Sequence, residues 1–519
     1  MTKFRTRSHS LPQVSLKHDL KASITVFFVA LPLCLGISLA SGAPLISGLW
    51  AGIVGGMIVP IISRSPLSVS GPAAGLTAIC SMAIIQLGSV DIFFLSVCIA
   101  GLLQIVVGLF KLGGFTHLIP SSVIKGMLSA IGMILIGKQV PLLLGYNKPD
   151  FWRDELFNLL TFHHGFEHIR DLSEQLSAGA MVIAAVSLAF LILWEKRIAA
   201  KIPFLPTSFM IVLLGSIAAF VLHKLSPELS LKSSQFVSIP EDALRQTQLP
   251  RFSALFSDRE IWETAVVICI VATLETLLSI EAVDKIDVQN RVTPKNRELV
   301  AQGVGNFMSG LIGGLPITSV IVRSSANIDA GARTKLSALL HGVWLLLTIL
   351  FASSLVAYIP YCVLAVILIR TGYGLTRPSM IRGVYKQGRE QFLPFVVTII
   401  AILLTDLLIG VFIGICYAIY FLIKHTYRSG YTVHEKVDGH TRHYGIQLAL
   451  NVSFLNKKRF LEFLDGVPKY SIVEINGERS VYIDHDVLEI LHAFKAKAAN
   501  RHIQLIMKGI PEIISVDAH

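Results

Sequence analysis

Ser70–Gly71–Pro72–Ala73–Ala74–Gly75 and Gly313–Gly314–Leu315–Pro316–Ile317–Thr318–Ser319 each interrupt an apolar stretch, and each opens a short helix. Proline suits the first turn of a helix, where its missing N–H would have no partner anyway. The glycines let the preceding backbone turn and approach a neighbour closely. A helix that starts inside a bilayer aims free N–H groups and the positive end of its dipole at whatever lies before it. Such backbone survives at membrane depth only where protein buries it or where it lines a cavity. Pro72 and Pro316 stand about 244 residues apart, in comparable places of two halves, which is the sequence mark of an inverted-repeat transporter site. Either motif alone reads equally well as a broken loop. Together, set in apolar sequence, they point to an anion pocket.

The surrounding sequence belongs to a polytopic membrane protein. Of 519 residues, 53% are hydrophobic and 15% charged, against about 25% charged in soluble domains. A spanning helix needs ~20 mostly apolar residues. Stretches that meet or approach this lie near 22–41, 44–63, 91–111, 117–145, 175–194, 203–223, 262–283, 334–358 and 391–423. The last is long enough for two short spans broken around Asp406 and Leu407. Shorter runs near 72–88, 297–313, 316–330 and 359–370 bring the expected total to about 14 elements. These long blocks exclude a β-barrel, which needs ten-residue alternations. All six cysteines (Cys34, Cys80, Cys98, Cys269, Cys362, Cys416) fall in apolar stretches, so neither a disulfide framework nor a thiolate metal site is expected.

Basic residues orient the helices rather than bind nucleic acid, although the formal net charge is +11. Residues 1–21, read as a polar N-terminal segment without a cleavable signal, carry Lys3, Arg5, Arg7, Lys17 and Lys21 against Asp19. Arg370, Arg377, Arg382, Lys386 and Arg389 come with no acid between them, whereas 147–172 and 224–263 have more acids than bases. The basic loops belong in the cytoplasm, and so do both termini. Within 147–172, the His164–His168 spacing, with His163 beside it, would suit a metal; an amphipathic extracellular loop is the plainer reading. The transport region therefore runs from 22 to 430. Residues 431–519 form a small cytoplasmic α/β domain, with strands expected at Tyr444–Val452, Tyr470–Ile475, Ser480–Ile483 and His502–Met507, and helices at Asn456–Leu464 and Asp486–Ala499.

Ionisable residues inside the apolar segments are few. Glu275 falls near mid-membrane, where a charge is expensive and usually functional. Ser279 follows four residues later, on the same helix face. Arg323 is deep enough to lend the pocket positive charge; a buried ion pair is its structural alternative. Glu281 and Asp284 read as interfacial, Lys138 as snorkelling to the interface and His341 as a satisfied core residue. Gly48, Gly52 and Gly56 make a small-residue ridge for helix packing.

The ordered set Ala30–Leu31–Pro32, Ser41–Gly42–Ala43–Pro44, Ser68–Val69–Ser70–Gly71–Pro72–Ala73–Ala74, Leu274–Glu275–Thr276–Leu277–Leu278–Ser279 and Gly313–Thr318 with Arg323–Ser324 and Asn327 resembles the sulfate permease (SulP) family of anion transporters. Phe454–Leu455–Asn456 resembles part of that family's STAS domain. The resemblance implies seven plus seven transmembrane elements in inverted repeats, divided into a core and a gate domain, and a homodimer. It implies an anion held by Ala73, Ala74, Ile317, Thr318 and Ser319, with Arg323 as pocket arginine and Glu275 as the membrane carboxylate. Three departures stand out. Val322 occupies a place where many relatives have serine, Ile24–Ala40 contains no carboxylate, and Asp484–His485–Asp486 lacks the serine phosphorylated in soluble STAS relatives.

The function expected is secondary active transport of sulfate or bicarbonate across the plasma membrane, coupled to Na⁺ or H⁺ through Glu275 with Ser279 as an oxygen ligand in the Na⁺ case. No other cofactor or metal is expected, and the partners are the anion, the bilayer and a second copy. An anion exchanger or dicarboxylate transporter would share the fold. A nucleobase permease would want polar side chains where Ala73, Ala74 and Ile317 stand. A membrane-embedded sensor or scaffold acting through the small domain is the reading from another class. No nucleophile–base pair points to an enzyme.

Overall fold

The computed structural model describes residues 16–114, 120–145, 176–198, 206–237, 247–256, 258–405, 407–438 and 441–512. The three histidines of 147–172, and Asp406, lie outside the described residues. The chain separates into two compact units, one taking in the described residues to Lys386 with Thr398–Val411, the other Gln387–Val397 with the described residues from Phe412.

The membrane elements follow in two sets of seven. The first set is α1 (Leu16–Ala40), α2 (Leu45–Met57), a strand-led half-helix made of β1 (Ser70–Pro72) and α3 (Thr77–Leu87), α4 (Val90–Leu109), α5 (Ser121–Leu143), α6 (Ala178–Arg197) and α7 (Thr207–Leu225). The second is α8 (Arg259–Ile286), α9 (Lys295–Leu311), a half-helix made of β2 (Ile317–Ser319) and α10 (Ile321–Asp329), α11 (Leu336–Phe351), α12 (Tyr361–Leu375), α13 (Arg389–Leu404) and α14 (Leu407–Arg428). Among the described residues, eight helices are long and apolar enough to cross a bilayer by themselves. α1 begins at Leu16, and Asp19 is buried, accepting from the Arg333 and Thr334 amides at 2.8 and 3.0 Å.

Glycines show that the two sets are inverted repeats. The fourth element of the first set crosses the second element of the other at Gly101 and Gly303, where a Cβ on either would come within 2.6–2.7 Å of the other's carbonyl oxygen. The reciprocal crossing, α2 on α11, puts Gly56 against Gly342; a Cβ on Gly56 would lie 2.7 Å from the Gly342 Cα. The fifth elements meet each other at Gly132 and Gly372. The third elements pair through antiparallel β1 and β2. Each contact maps onto another, or onto itself, when the repeats are exchanged. Small residues permit such backbone approach where lipid offers no hydrophobic drive for association. The Gly48–Gly52–Gly56 ridge of α2 packs on α1 and α11, as its spacing predicts.

In the second unit, β3 (Tyr431–Asp438), β4 (Thr441–Leu448), β6 (Ile472–Asn476) and β8 (Gln504–Lys508) form a sheet in that order; β5 (Asn451–Val452) pairs with β7 (Tyr482–Ile483). β3 is antiparallel to β4, and the later pairings are parallel. The helices α15 (Lys457–Gly466) and α16 (His485–Asn500) contribute Phe460, Leu491 and Phe494 to a core shared with Ile446, Val473 and Ile475. This is a STAS-like domain. Asp484, in the Asp484–His485–Asp486 loop, caps α16 by accepting from the Asp486 amide at 3.1 Å. β3 is not among the strands expected from sequence; its His434–Glu435–Lys436 run carries charge, which is usual on an edge strand, where it discourages pairing with other chains.

Candidate functional site

β1 and β2 cross head to head, with Ser70 opposite Ser319, Gly71 opposite Thr318 and Pro72 opposite Ile317. Each strand ends where a helix starts. Ala73 is extended and leads into a single 3-10 turn, Ala74–Leu76, continuous with α3; Val320 is extended and leads into α10. Neither N-cap residue, Ala73 or Val320, supplies a capping side chain of its own. First-turn amides that a cap would otherwise satisfy therefore face partners from elsewhere in the fold or a ligand. Ala73, Ile317, Thr318 and Ser319 are buried, while Ala74 is partly open.

The side chains of β2 are turned to holding the strands. Ser319 shares a hydrogen bond with Ser68 Oγ, and its amide donates to Thr276 Oγ1 on α8 at 3.4 Å. Thr318 Oγ1 donates to the Ser319 carbonyl. What β2 offers a ligand is therefore chiefly its shape and the helix start that follows it.

Arg323 lies on the first turn of α10 with no solvent exposure. Its Nη2 donates to the Pro72 carbonyl and to Cys34 Sγ, both at 3.4 Å. Both partners are neutral. Nε and Nη1 have no partner among the described residues. Nη1 presses on β1 so closely that a Cβ at Gly71 would sit 2.0 Å from it. A buried guanidinium left two-thirds unsatisfied is costly unless an anion completes it. Val322, by contrast, is half exposed and off the buried face of α10 formed by Arg323, Ser324 and Asn327.

Glu275 reaches the other half-helix. Its carboxylate lies against Gly75, where a Cβ would come within 2.7 Å of Oε2 and 2.8 Å of Oε1, and the Gly75 amide hydrogen-bonds it. Oε2 is enclosed without a partner. Ser279 is buried one turn along α8; the partner the structure gives the carboxylate is Gly75, not Ser279. Glu281 pairs with Lys295 at the start of α9, and Asp284 accepts from the Thr293 amide in the loop before it at 2.8 Å. His341 is buried, with Nδ1 on the Ala338 carbonyl. Among the described residues no cluster of three or more His, Cys, Asp or Glu could hold a metal.

Sequence reading passed over the residues that hold the crossing in place. Glu298, Gln302 and Asn306 recur every four residues along α9 and are all buried. Asn306 clamps β2, accepting from the Ile317 amide at 2.6 Å and donating to the Ile317 carbonyl at 3.1 Å and to Gln104 Oε1 at 2.8 Å. Gln302 Nε2 donates to Ser70 Oγ on β1 at 2.6 Å and to Glu298 Oε1 at 2.9 Å; Ser63 closes the chain on Glu298 Oε2. One helix face thus fixes both strands. The signal was a four-residue polar period within an otherwise small and apolar segment.

The site is closed around Arg323. Among the described residues, one cleft of about 570 Å³ lies beside the Asp91–Arg251 ion pair and one of about 200 Å³ between α15 and α16. Neither offers what the crossing does, which is two helix starts, a guanidinium with unused donors and a carboxylate within one buried locus.

A model of the Sulfate permease family matches residues 16–443. The chain is 29% identical to the bicarbonate transporter BicA of Synechocystis sp. over 77% of its own length and 68% of that protein's. It is 25% identical to the chloroplastic sulfate transporter 4.1 of Arabidopsis thaliana, covering 95% of this chain and 75% of the plant protein. The solved structure of the murine Slc26a9 anion transporter superposes with a TM-score of 0.74 at 14% identity, over 99% of this chain and 91% of that one, and shares its fold.

Proposed function

The chain belongs to the sulfate permease family, and on that premise we propose that it is a secondary active transporter of sulfate or bicarbonate rather than an enzyme. It works by alternating access in the plasma membrane (the bacterial inner membrane), with both termini cytoplasmic, as a homodimer. The observation that carries this reading is Arg323, buried at the half-helix crossing with Nε and Nη1 unpartnered. Partial charges of about half a unit at each helix start leave much of a divalent anion uncompensated. The guanidinium supplies most of the remainder.

Glu275 couples the anion to a cation. An ionised carboxylate at mid-membrane, beside a bound anion, is doubly unfavourable until Na⁺ binds it or a proton neutralises it. Either event favours anion binding, and the anion favours that event in return. The small-oxyanion reading fits apolar Ala73 and Ile317, which offer nothing to the edge of a nucleobase. Exchange of one anion for another, or transport of a dicarboxylate, would use the same site without the cation.

Radiolabelled uptake into proteoliposomes tests the proposal, with unlabelled sulfate, bicarbonate, oxalate, fumarate and chloride as competitors. Saturable uptake displaced by sulfate or bicarbonate is the expected result. Absence of flux for every anion in a well-folded sample would favour a sensor or scaffold acting through the STAS-like domain.

A further inference from the structure

Cys34 stands in α1 with no solvent exposure, and its sulfur accepts from Arg323 Nη2 at 3.4 Å. Gly52 on α2 makes room for it, since a Cβ there would come within 2.7 Å of that sulfur. A thiol is a weak acceptor. It is an unexpected neighbour for a buried guanidinium that keeps Nε and Nη1 without partners.

The inverted repeat explains the position. In the second repeat the leading helix, α8, carries Glu275 to Gly75 at the start of the first repeat's half-helix. In the first repeat the leading helix, α1, carries Cys34 to Arg323 on the second repeat's half-helix. Cys34 and Glu275 thus each stand on the leading helix of one repeat and touch the other repeat's half-helix, one with a neutral, polarisable sulfur and the other with a carboxylate. A carboxylate at 34 would pair with Arg323 and cancel its charge. The thiol orients Nη2 and leaves the charge available.

We propose that Cys34 is a wall of the anion site, positioning Arg323 without neutralising it, and that its thiol is a modification site reached along the anion's own path. This rests on the anion-transport reading above. The matching probe is the anionic reagent 2-sulfonatoethyl methanethiosulfonate. The thiol gives its proton to water, its sulfur forms a disulfide with the reagent's sulfenyl sulfur, and the S–SO₂ bond breaks to release methanesulfinate. The product tethers a sulfonate beside Arg323, where it acts as a fixed occupant.

The experiment uses the full chain in proteoliposomes, with labelled sulfate and labelled bicarbonate as the transported probes. The reagent should cut wild-type uptake by about fivefold or more, and saturating unlabelled anion should slow that loss. Cys34→Ser should resist the reagent although Cys80, Cys98, Cys269, Cys362 and Cys416 remain. Cys34→Ala should raise the apparent KM about fivefold, equivalent to about 1 kcal/mol, and Cys34→Ser, which keeps an acceptor, by less. Wild-type uptake indifferent to the reagent, inactivation that the anion does not slow, or equal sensitivity in Cys34→Ser would each overturn the proposal while transport itself stands. If the wild type carries neither anion, the transport reading falls and this inference falls with it.

Discussion

At the scale of single residues, Arg323 and Asn306 make opposite predictions. Among the described residues Arg323 is bonded to a carbonyl and a thiol and to no carboxylate, so Arg323→Gln removes a charge without stranding one. We expect the apparent KM for sulfate or bicarbonate to rise about tenfold or more, the loss of one charge-assisted contact, with the melting temperature of the detergent-solubilised protein nearly unchanged. Unaltered affinity would return Arg323 to a structural role. Asn306→Ala leaves the buried Ile317 amide and carbonyl unpaired and should destabilise the fold by about 2–4 kcal/mol, read as a lower melting temperature. Glu275 and Arg323 were legible in the sequence because a charge within an apolar run is conspicuous. Asn306 and Gln302 were not, because an uncharged amide on a helix announces nothing until the strand it clamps is known.

At the scale of elements, the half-helices were readable from Gly and Pro, whereas the partners of each glycine were not. The ridge at Gly48, Gly52 and Gly56 gives a packing face, yet only the folded repeat shows that Gly56 meets Gly342 and that Gly101 meets Gly303. Contacts between residues far apart in the chain leave no local periodicity. The symmetry carries its own prediction. Gly303→Leu inserts a side chain where a Cβ already lies 2.7 Å from the Gly101 carbonyl, and should cost about 3 kcal/mol or more by overpacking. Gly342→Leu, at the reciprocal crossing, should behave alike. A Gly303→Leu protein that melts with the wild type would show that these crossings are looser than described.

At the scale of the whole molecule, the half-helix crossing lies entirely within the first unit, and the STAS-like domain supplies none of its residues. A chain ending at Arg428 should therefore bind the anion with wild-type affinity. Its expression or turnover should fall, since Asn456 no longer bonds the Thr426 and Tyr427 carbonyls at the end of α14. Complete loss of binding in a folded truncation would contradict that division of labour. The central claim is that one buried crossing holds an anion and, through Glu275, the cation that drives it. The measurement that tests it most directly is anion uptake into proteoliposomes under imposed Na⁺ and pH gradients, wild type beside Glu275→Gln. The account predicts wild-type uptake that follows one of the two gradients, and mutant uptake that follows neither while anion exchange persists. Mutant uptake that still follows the wild-type gradient would contradict it.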